Sequence, residues 1–205
     1  MGKLEANKQQ KLTSLLNTAF NLFTTQGVAK TSIAEISQKA GIAKGTFYLY
    51  FKDKYDIRNR LISHESSKLF KNAVADLEEF SKEKDEQLGF EEKIIFIINH
   101  IVDELNSNQT LLTFISKNLS WGIFKEALTT KVASDDINFK DVYYEMINAE
   151  DISLEAPEIM LFLIVELVSS TCYSAILYKE PADIDTIKPY LFKTVRAIIR
   201  EHTIQ

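Results

Sequence analysis

The chain has 205 residues, 45% hydrophobic and 26% charged, the balance of a globular protein long enough to bury a sizeable core. This composition excludes a disordered or collagen-like chain, and a single cysteine, Cys172, excludes an internal disulfide and fits a reducing compartment. The net charge of −5 is unevenly spread: residues 1–60 hold ten Lys/Arg against four Asp/Glu, net +6, which leaves −11 on the remainder. A basic head on an acidic body suits a polyanionic partner, because a local positive surface releases counterions while the rest of the molecule repels the polyanion. The polar start Met1-Gly2-Lys3-Leu4-Glu5-Ala6 is not that of a secretory leader, and the longest apolar run, Ile159 to Val165, is stopped by Glu166. That run is far short of the roughly 18–20 apolar residues of a membrane span. A cytoplasmic protein without a membrane partner is expected.

In chain order, Leu12, Leu15, Leu16, Ala19, Phe20 and Phe23 have the 3, 4, 7, 8 spacing of a first amphipathic helix, ended by Gly27. Ser32 and Glu35 have the spacing of a capping box, so a second helix begins at Thr31 or Ser32 and carries Ile33 and Ile36 on one face. Ala40-Gly41 offers the small residue and permissive dihedral of a sharp turn. A third helix starts near Ala43, with Phe47 and Phe51 on its buried side and Lys44, Gly45, Thr46, Tyr48 and Leu49 facing outward. Two short helices hinged at Gly41, over residues 32–51, form a helix-turn-helix.

Each outward residue type has a counterpart on duplex DNA. Lys44 suits a phosphate or a guanine edge, and Thr46 a base or phosphate. Gly45 has no side chain, so the helix backbone can approach a groove closely. The phenols of Tyr48 and Tyr50 can donate to phosphate oxygens. Lys52 and Lys54 flank Asp53, the expected cap of the next helix, and make a phosphate seat there. Thr31 and Ser32, at the start of the second helix, complete the expected DNA-facing set.

Beyond the head the reading is helix after helix. A long helix from Asp53 carries Ile57, Leu61, Leu69, Ala73, Leu77 and Phe80 and dissolves into the charged stretch 81–87. Phe90, Ile94, Ile97, Ile98, Ile101, Val102 and Leu105 define a strongly apolar helix closed by Asn106-Ser107-Asn108. Helices follow over Gln109–Asn118, around Trp121–Thr130 and over Asp135–Asn148. Pro157 suits the first position of a helix running to about Tyr178, and Pro181 stops it. A last helix from Ile184 or Thr186, with Pro189 in its first turn, ends near His202. Met160 to Val165 is apolar all round, which predicts burial on two sides. No strand-like alternation and no internal repeat is visible.

The ordered set Ala19-Phe20…Phe23…Gly27, Thr31-Ser32-Ile33-Ala34-Glu35-Ile36, Ala40-Gly41-Ile42-Ala43-Lys44-Gly45-Thr46-Phe47-Tyr48-Leu49-Tyr50-Phe51 and Lys54…Ile57 resembles the DNA-binding domain of the TetR (tetracycline repressor) family of bacterial regulators. Two positions depart from that pattern. Ala43 stands where a serine or threonine often opens the recognition helix, and it cannot cap; Leu49 stands where many members carry a polar or aromatic contact, and it offers only apolar contact, for instance to a thymine methyl. The resemblance implies an all-α protein in two parts: a three-helix helix-turn-helix domain over residues 1–55, and a helical effector-binding and dimerisation domain over 56–205.

It also implies a homodimer whose last two helices build a four-helix bundle with their copies, for which Phe162, Val165, Ser169, Tyr173, Leu191, Val195 and Ile198 are the candidate residues. Two reading heads related by a two-fold axis engage half-sites about 34–36 Å apart, or a multiple, so the double-stranded operator is expected to be a palindrome. A small-molecule effector is a further expectation of the resemblance, with Phe96, His100, Phe114, Trp121, Phe124, Tyr143 and Met146 as candidate lining residues. The function expected is that of a repressor released from its operator by the effector; the alternative is a ligand-independent DNA-binding dimer or an activator that recruits a partner protein.

An enzyme fits poorly. His64, His100 and His202 are scattered, no histidine or cysteine cluster has zinc-ligand spacing, and no glycine-rich loop follows a strand. The paired acids Glu78-Glu79, Glu91-Glu92 and Asp135-Asp136 read as solvated helix surface. No catalytic residue, metal or cofactor is expected.

Overall fold

Long amphipathic runs punctuated by Gly, Pro and Asn leave little but helix to form, and the computed structural model, which describes residues 3–84, 88–118, 138–150 and 152–204, is helical throughout its regular structure. The helix expected around Trp121–Thr130, with Trp121 and Phe124, lies outside the described residues, as do Asp135 and Asp136. The described residues fall into two compact units, one up to Ser67 and the other comprising Lys68–Lys117 with Asn138 onward.

In the first unit, α1 (Lys3–Gln26) buries Leu15, Leu16, Ala19, Leu22 and Phe23. It ends where Gly27 takes a φ of 85°, a left-handed conformation costly for any residue with a Cβ. Helix α2 (Ile33–Lys39) starts at Ser32, whose Oγ accepts the Glu35 N–H at 3.1 Å, and Ile36 is wholly buried. Gly41, at φ 69°, makes the turn into α3 (Lys44–Phe47), whose N-cap Ala43 supplies no side-chain bond, as an alanine must. Phe47 and Phe51 are buried to within 1% of completely and lie 5.5 Å apart, ring to ring. At roughly 1.5–3 kcal/mol for each such side chain taken from water, this pair is a principal anchor of α3, which is too short to hold itself.

Helix α4 (Lys54–Lys84) is capped by Asp53, whose Oδ1 accepts the N–H groups of Tyr55 at 2.7 Å and Asp56 at 2.9 Å, and it passes from one unit into the other. It runs on through the charged stretch to Lys84 instead of fraying at Ser81.

In the second unit, α5 (Phe90–Ser107) buries Phe90, Ile95, Ile97, Ile98, Val102 and Leu105. Its N-cap Gly89 has no side chain to offer, and the Glu150 carboxylate takes that role, accepting the Phe90 N–H at 2.5 Å and the Lys93 ammonium at 2.6 Å. Helix α6 (Gln109–Asn118) is capped by Asn108 and α7 (Phe139–Ala149) by Asn138, each through its side-chain oxygen. Helix α8 (Pro157–Leu177) opens with proline at N1, as expected. Helix α9 (Ile184–His202), capped by Asp183, packs on both α8 and α5. Because α9 begins at Ile184, Pro189 falls in its second turn and not its first, where the missing N–H leaves the Asp185 carbonyl without its helical donor. An isolated antiparallel bridge joins Leu154 to Thr203.

The two-sided burial expected of α8 is not met within one chain. Met160, Leu161, Ile164, Cys172, Ala175 and Ile176 are buried, but Ile159 is 57% and Leu163 42% exposed. By length and composition alone α8 is apolar enough to cross a membrane, with a mean hydropathy of 1.9 over its most apolar window. Its packing on α5 and the amphipathic α9 is that of a core helix with one face left over.

Candidate nucleic-acid interface

The helix-turn-helix is held by polar contacts that tension its turns while leaving one face of α3 free. Ser14 Oγ on α1 donates to the Ala40 carbonyl at 3.1 Å, joining α1 to the turn after α2. Gln26 donates to the Glu35 carboxylate at 2.8 Å, and Lys39 pairs with the same carboxylate at 3.2 Å. The Gln26 amide, then the Lys39 ammonium, hold the Glu35 carboxyl below its ordinary pKa, with the Ser32 backbone a smaller influence in the same direction.

Across α3 the two sides differ sharply. Phe47 is wholly buried, while Tyr48 is 52% and Leu49 81% exposed, and Lys44 and Gly45 are exposed beside them. Thr46 is half-buried. A Cβ built on Gly45 would meet no atom of the protein within 4 Å, so nothing in the fold demands glycine there. Leu49, between Tyr48 and Tyr50 in sequence, is the most exposed large apolar side chain among the described residues. Ser32 shares the exposed side of the α2 start; its oxygen accepts Glu35 N–H, which leaves its own O–H free to donate to a phosphate. Lys52 is exposed, its N–H donating to Asp56 at 2.8 Å.

Three residues of the expected DNA set are placed differently. Thr31 is buried to 2% exposure, its hydroxyl donating to the Gly27 carbonyl at 2.9 Å and accepting from Gln26 at 3.3 Å, so both its hydrogen-bonding roles are used in closing the α1–α2 loop. The Lys54 ammonium donates to the carbonyls of Ala29 at 3.0 Å and Thr31 at 3.2 Å, clipping that loop to the start of α4. Tyr50 is half-buried and its hydroxyl donates to the Lys8 carbonyl at 3.3 Å. The three side chains brace the reading element.

Of the residues expected to line an effector pocket, Trp121 and Phe124 lie outside the described residues, and the other five sit in different surroundings. Phe96 and His100 line an open groove of about 510 Å³ with Asn72, Asp76, Asp103 and Glu104, where His100 Nδ1 lies 3.0 Å from Asp76 and Nε2 3.5 Å from Glu104. Phe114 is core at 5% exposure, Met146 is half-buried, and Tyr143 is core at 2%, its hydroxyl donating to the Pro157 carbonyl at 3.0 Å. Burial pushes the Tyr143 phenol far above its usual range.

Of the expected dimer residues, Leu191 and Val195 are 3% and 0% exposed and belong to the chain's own core, because α9 turns its apolar stripe inward. Phe162, Val165, Ser169, Tyr173 and Ile198 are half-buried, with Tyr173 and Tyr178 hydroxyls 3.0 Å apart. The most open large apolar side chains on these two helices are Ile159, Leu163 and Tyr190, the last 71% exposed, none of which is among the expected dimer residues.

A short helix anchored by the buried Phe47, presenting a lysine and a bare backbone outward and ending at an exposed tyrosine, is the second helix of a helix-turn-helix. Residues 15–61 match the family model described as "Bacterial regulatory proteins, tetR family". The HTH-type transcriptional regulator AcrR of Shigella flexneri is 40% identical over 55 residues, 27% of this chain and 26% of that one. The fatty acid metabolism regulator protein of Bacillus subtilis is 28% identical over 78 residues, 38% of this chain and 40% of its own length. The chain thus aligns with well under half the length of these curated relatives. A tetR family transcription regulator from Shewanella has the same fold, with a TM-score of 0.63 at 15% identity over 95% of this chain and 99% of that one. Residues 15–61 thus form a helix-turn-helix domain of the tetR family, and the described residues share the fold of solved tetR family regulators.

Proposed function

We propose that the chain is a transcriptional regulator of the cytoplasm, a homodimer that represses by holding a palindromic operator and lets go when a small molecule binds its C-terminal helices. The observation that carries the DNA part is the two-faced α3 and the turn after it: Phe47 is fully buried while Lys44 and Gly45 on the helix, and Tyr48 and Leu49 just past it, stand exposed. Lys44 is the candidate for a phosphate or guanine edge, Thr46 and Tyr48 for hydrogen bonds to bases or phosphate, Leu49 for a thymine methyl, and Ser32 and Lys52 for flanking phosphates. The functional boundary between head and body is placed at residues 55–56.

The dimer reading is supported by the uncovered apolar face of α8, with Ile159 and Leu163 open beside an α9 that shows Tyr190. A two-fold partner would give that face the second side of burial its composition calls for. The effector reading rests on the family and on the groove holding Phe96 and His100. An effector releases DNA only by preferring the arrangement whose two heads no longer match the operator, since equal affinity for both arrangements shifts nothing.

Selection of genomic fragments by the purified protein, followed by footprinting, tests the proposal. A protected palindrome upstream of a gene supports it, and the absence of any retained double-stranded fragment at low ionic strength removes it.

A further inference from the structure

Helix α1 is longer than its packing needs. Its first buried residue is Leu15, and from Glu5 to Ser14 every side chain is exposed or half-exposed, an overhang of some ten residues and about 15 Å of helix that contributes no core. An isolated stretch of this length is a marginal helix in water; among the described residues the Tyr50 hydroxyl, just past the recognition helix, donates to its Lys8 carbonyl at 3.3 Å, and Ser14 at its inner end donates to the Ala40 carbonyl at 3.1 Å. Lys8 and Lys11, three apart and so on one side of the overhang, are both exposed, and among the described residues neither ammonium has a partner. Lys39, by contrast, is paired with Glu35, and Lys54 is turned onto two carbonyls.

We infer that the α1 overhang is a second DNA-contacting element, in which Lys8 and Lys11 bind duplex phosphates flanking the bases read by α3, with Tyr50 as the positioning residue that sets the overhang beside the recognition helix. This rests on the DNA-binding reading proposed above. Two unpaired ammonium groups tethered to a groove-reading helix are where a phosphate backbone running past that helix gains most, because each neutralised phosphate releases counterions. The overhang carries little sequence information. It adds affinity and register.

The test is the salt dependence of binding to a duplex recovered by selection from a randomised library with the wild-type protein. Each phosphate contact contributes about 0.9 to the slope of log K against log salt, so the double variant Lys8→Gln/Lys11→Gln is expected to lower the slope by about 1.8 per head. Its helix content should be unchanged, as both side chains are exposed. Lys193→Gln, which removes an exposed charge from α9, is expected to leave the slope unchanged. Tyr50→Phe should lose part of the same slope without losing thermal stability. A wild-type protein that retains no duplex overturns the DNA reading itself. A wild type that binds, with a double variant of the same slope, overturns the overhang alone, as does an equal fall in Lys193→Gln, which would make the effect one of net charge.

Discussion

Arg200 grips Glu91 by two bonds, Nε to Oε2 at 2.8 Å and Nη2 to Oε1 at 2.9 Å, fastening the last turn of α9 to the first turn of α5 across 109 residues of chain. Arg196 adds bonds of 2.6 Å to Glu91 and to Glu92. The fork of Arg200, ahead of Arg196, holds the Glu91 carboxyl below its ordinary range, against the opposing effect of partial burial. A carboxyl lowered in the folded state contributes stability that is complete above its unfolded pKa and is lost as pH falls through its folded one. Glu91→Gln is therefore expected to melt below the wild type at about pH 7, and the gap should close as pH is taken down to about 2.5. Thermal unfolding by circular dichroism across that range is the check; a gap that persists in acid would mean that the substitution acts through packing.

Phe47→Ala removes a wholly buried ring that meets Phe51 at 5.5 Å and Tyr48 edge-on at 5.6 Å. The expected loss is about 3–5 kcal/mol by urea unfolding. DNA binding should disappear with it, because a four-residue helix has little else to hold its face.

Gly45→Ala should move stability and binding in opposite directions. The added methyl meets nothing in the protein and replaces a poor helix former, so stability is expected to rise by up to about 1 kcal/mol. On the duplex the same methyl occupies the space of a close backbone approach, and affinity should fall. Equal or tighter binding in a gel-shift titration would show that α3 does not come that near.

Lys44→Ala and Tyr48→Ala, both on exposed side chains, are expected to leave folding unchanged and to weaken operator binding by about 1–3 kcal/mol each. Unchanged affinity would strike those two residues from the interface.

Leu163→Asp, alone or with Ile159→Asp, tests the proposed pairing face of α8. Both side chains are largely open in the single chain, so a monomer should still fold, while sedimentation should show the dimer lost. A dimer that survives both substitutions places the interface elsewhere. Removing α9 would be a poorer test, because Leu191 and Val195 are core and their loss would unfold the unit.

Most helix spans, the caps at Ser32 and Asp53 and the helix-turn-helix could be read from residue order, because they depend on neighbours within about four positions: Ser32 on the Glu35 N–H, Asp53 on the Tyr55 and Asp56 N–H groups, Phe47 with Phe51; the cap of α5 could not, since Glu150 lies 60 residues on. The two-sided character of α3 followed from the same spacing. What order could not settle was which partner a side chain takes once distant segments meet. Thr31 and Lys54 look like phosphate ligands by type, yet Thr31 is buried, the Lys54 ammonium is engaged by carbonyls of the loop after α1, and Tyr50 finds its acceptor 42 residues away in Lys8. Leu191 and Val195 carry the apolar periodicity of an interface as well as they carry that of a core. Only the packing of α9 on α8 and α5 decides between them, since burial depends on what lies opposite a face and not on the face alone.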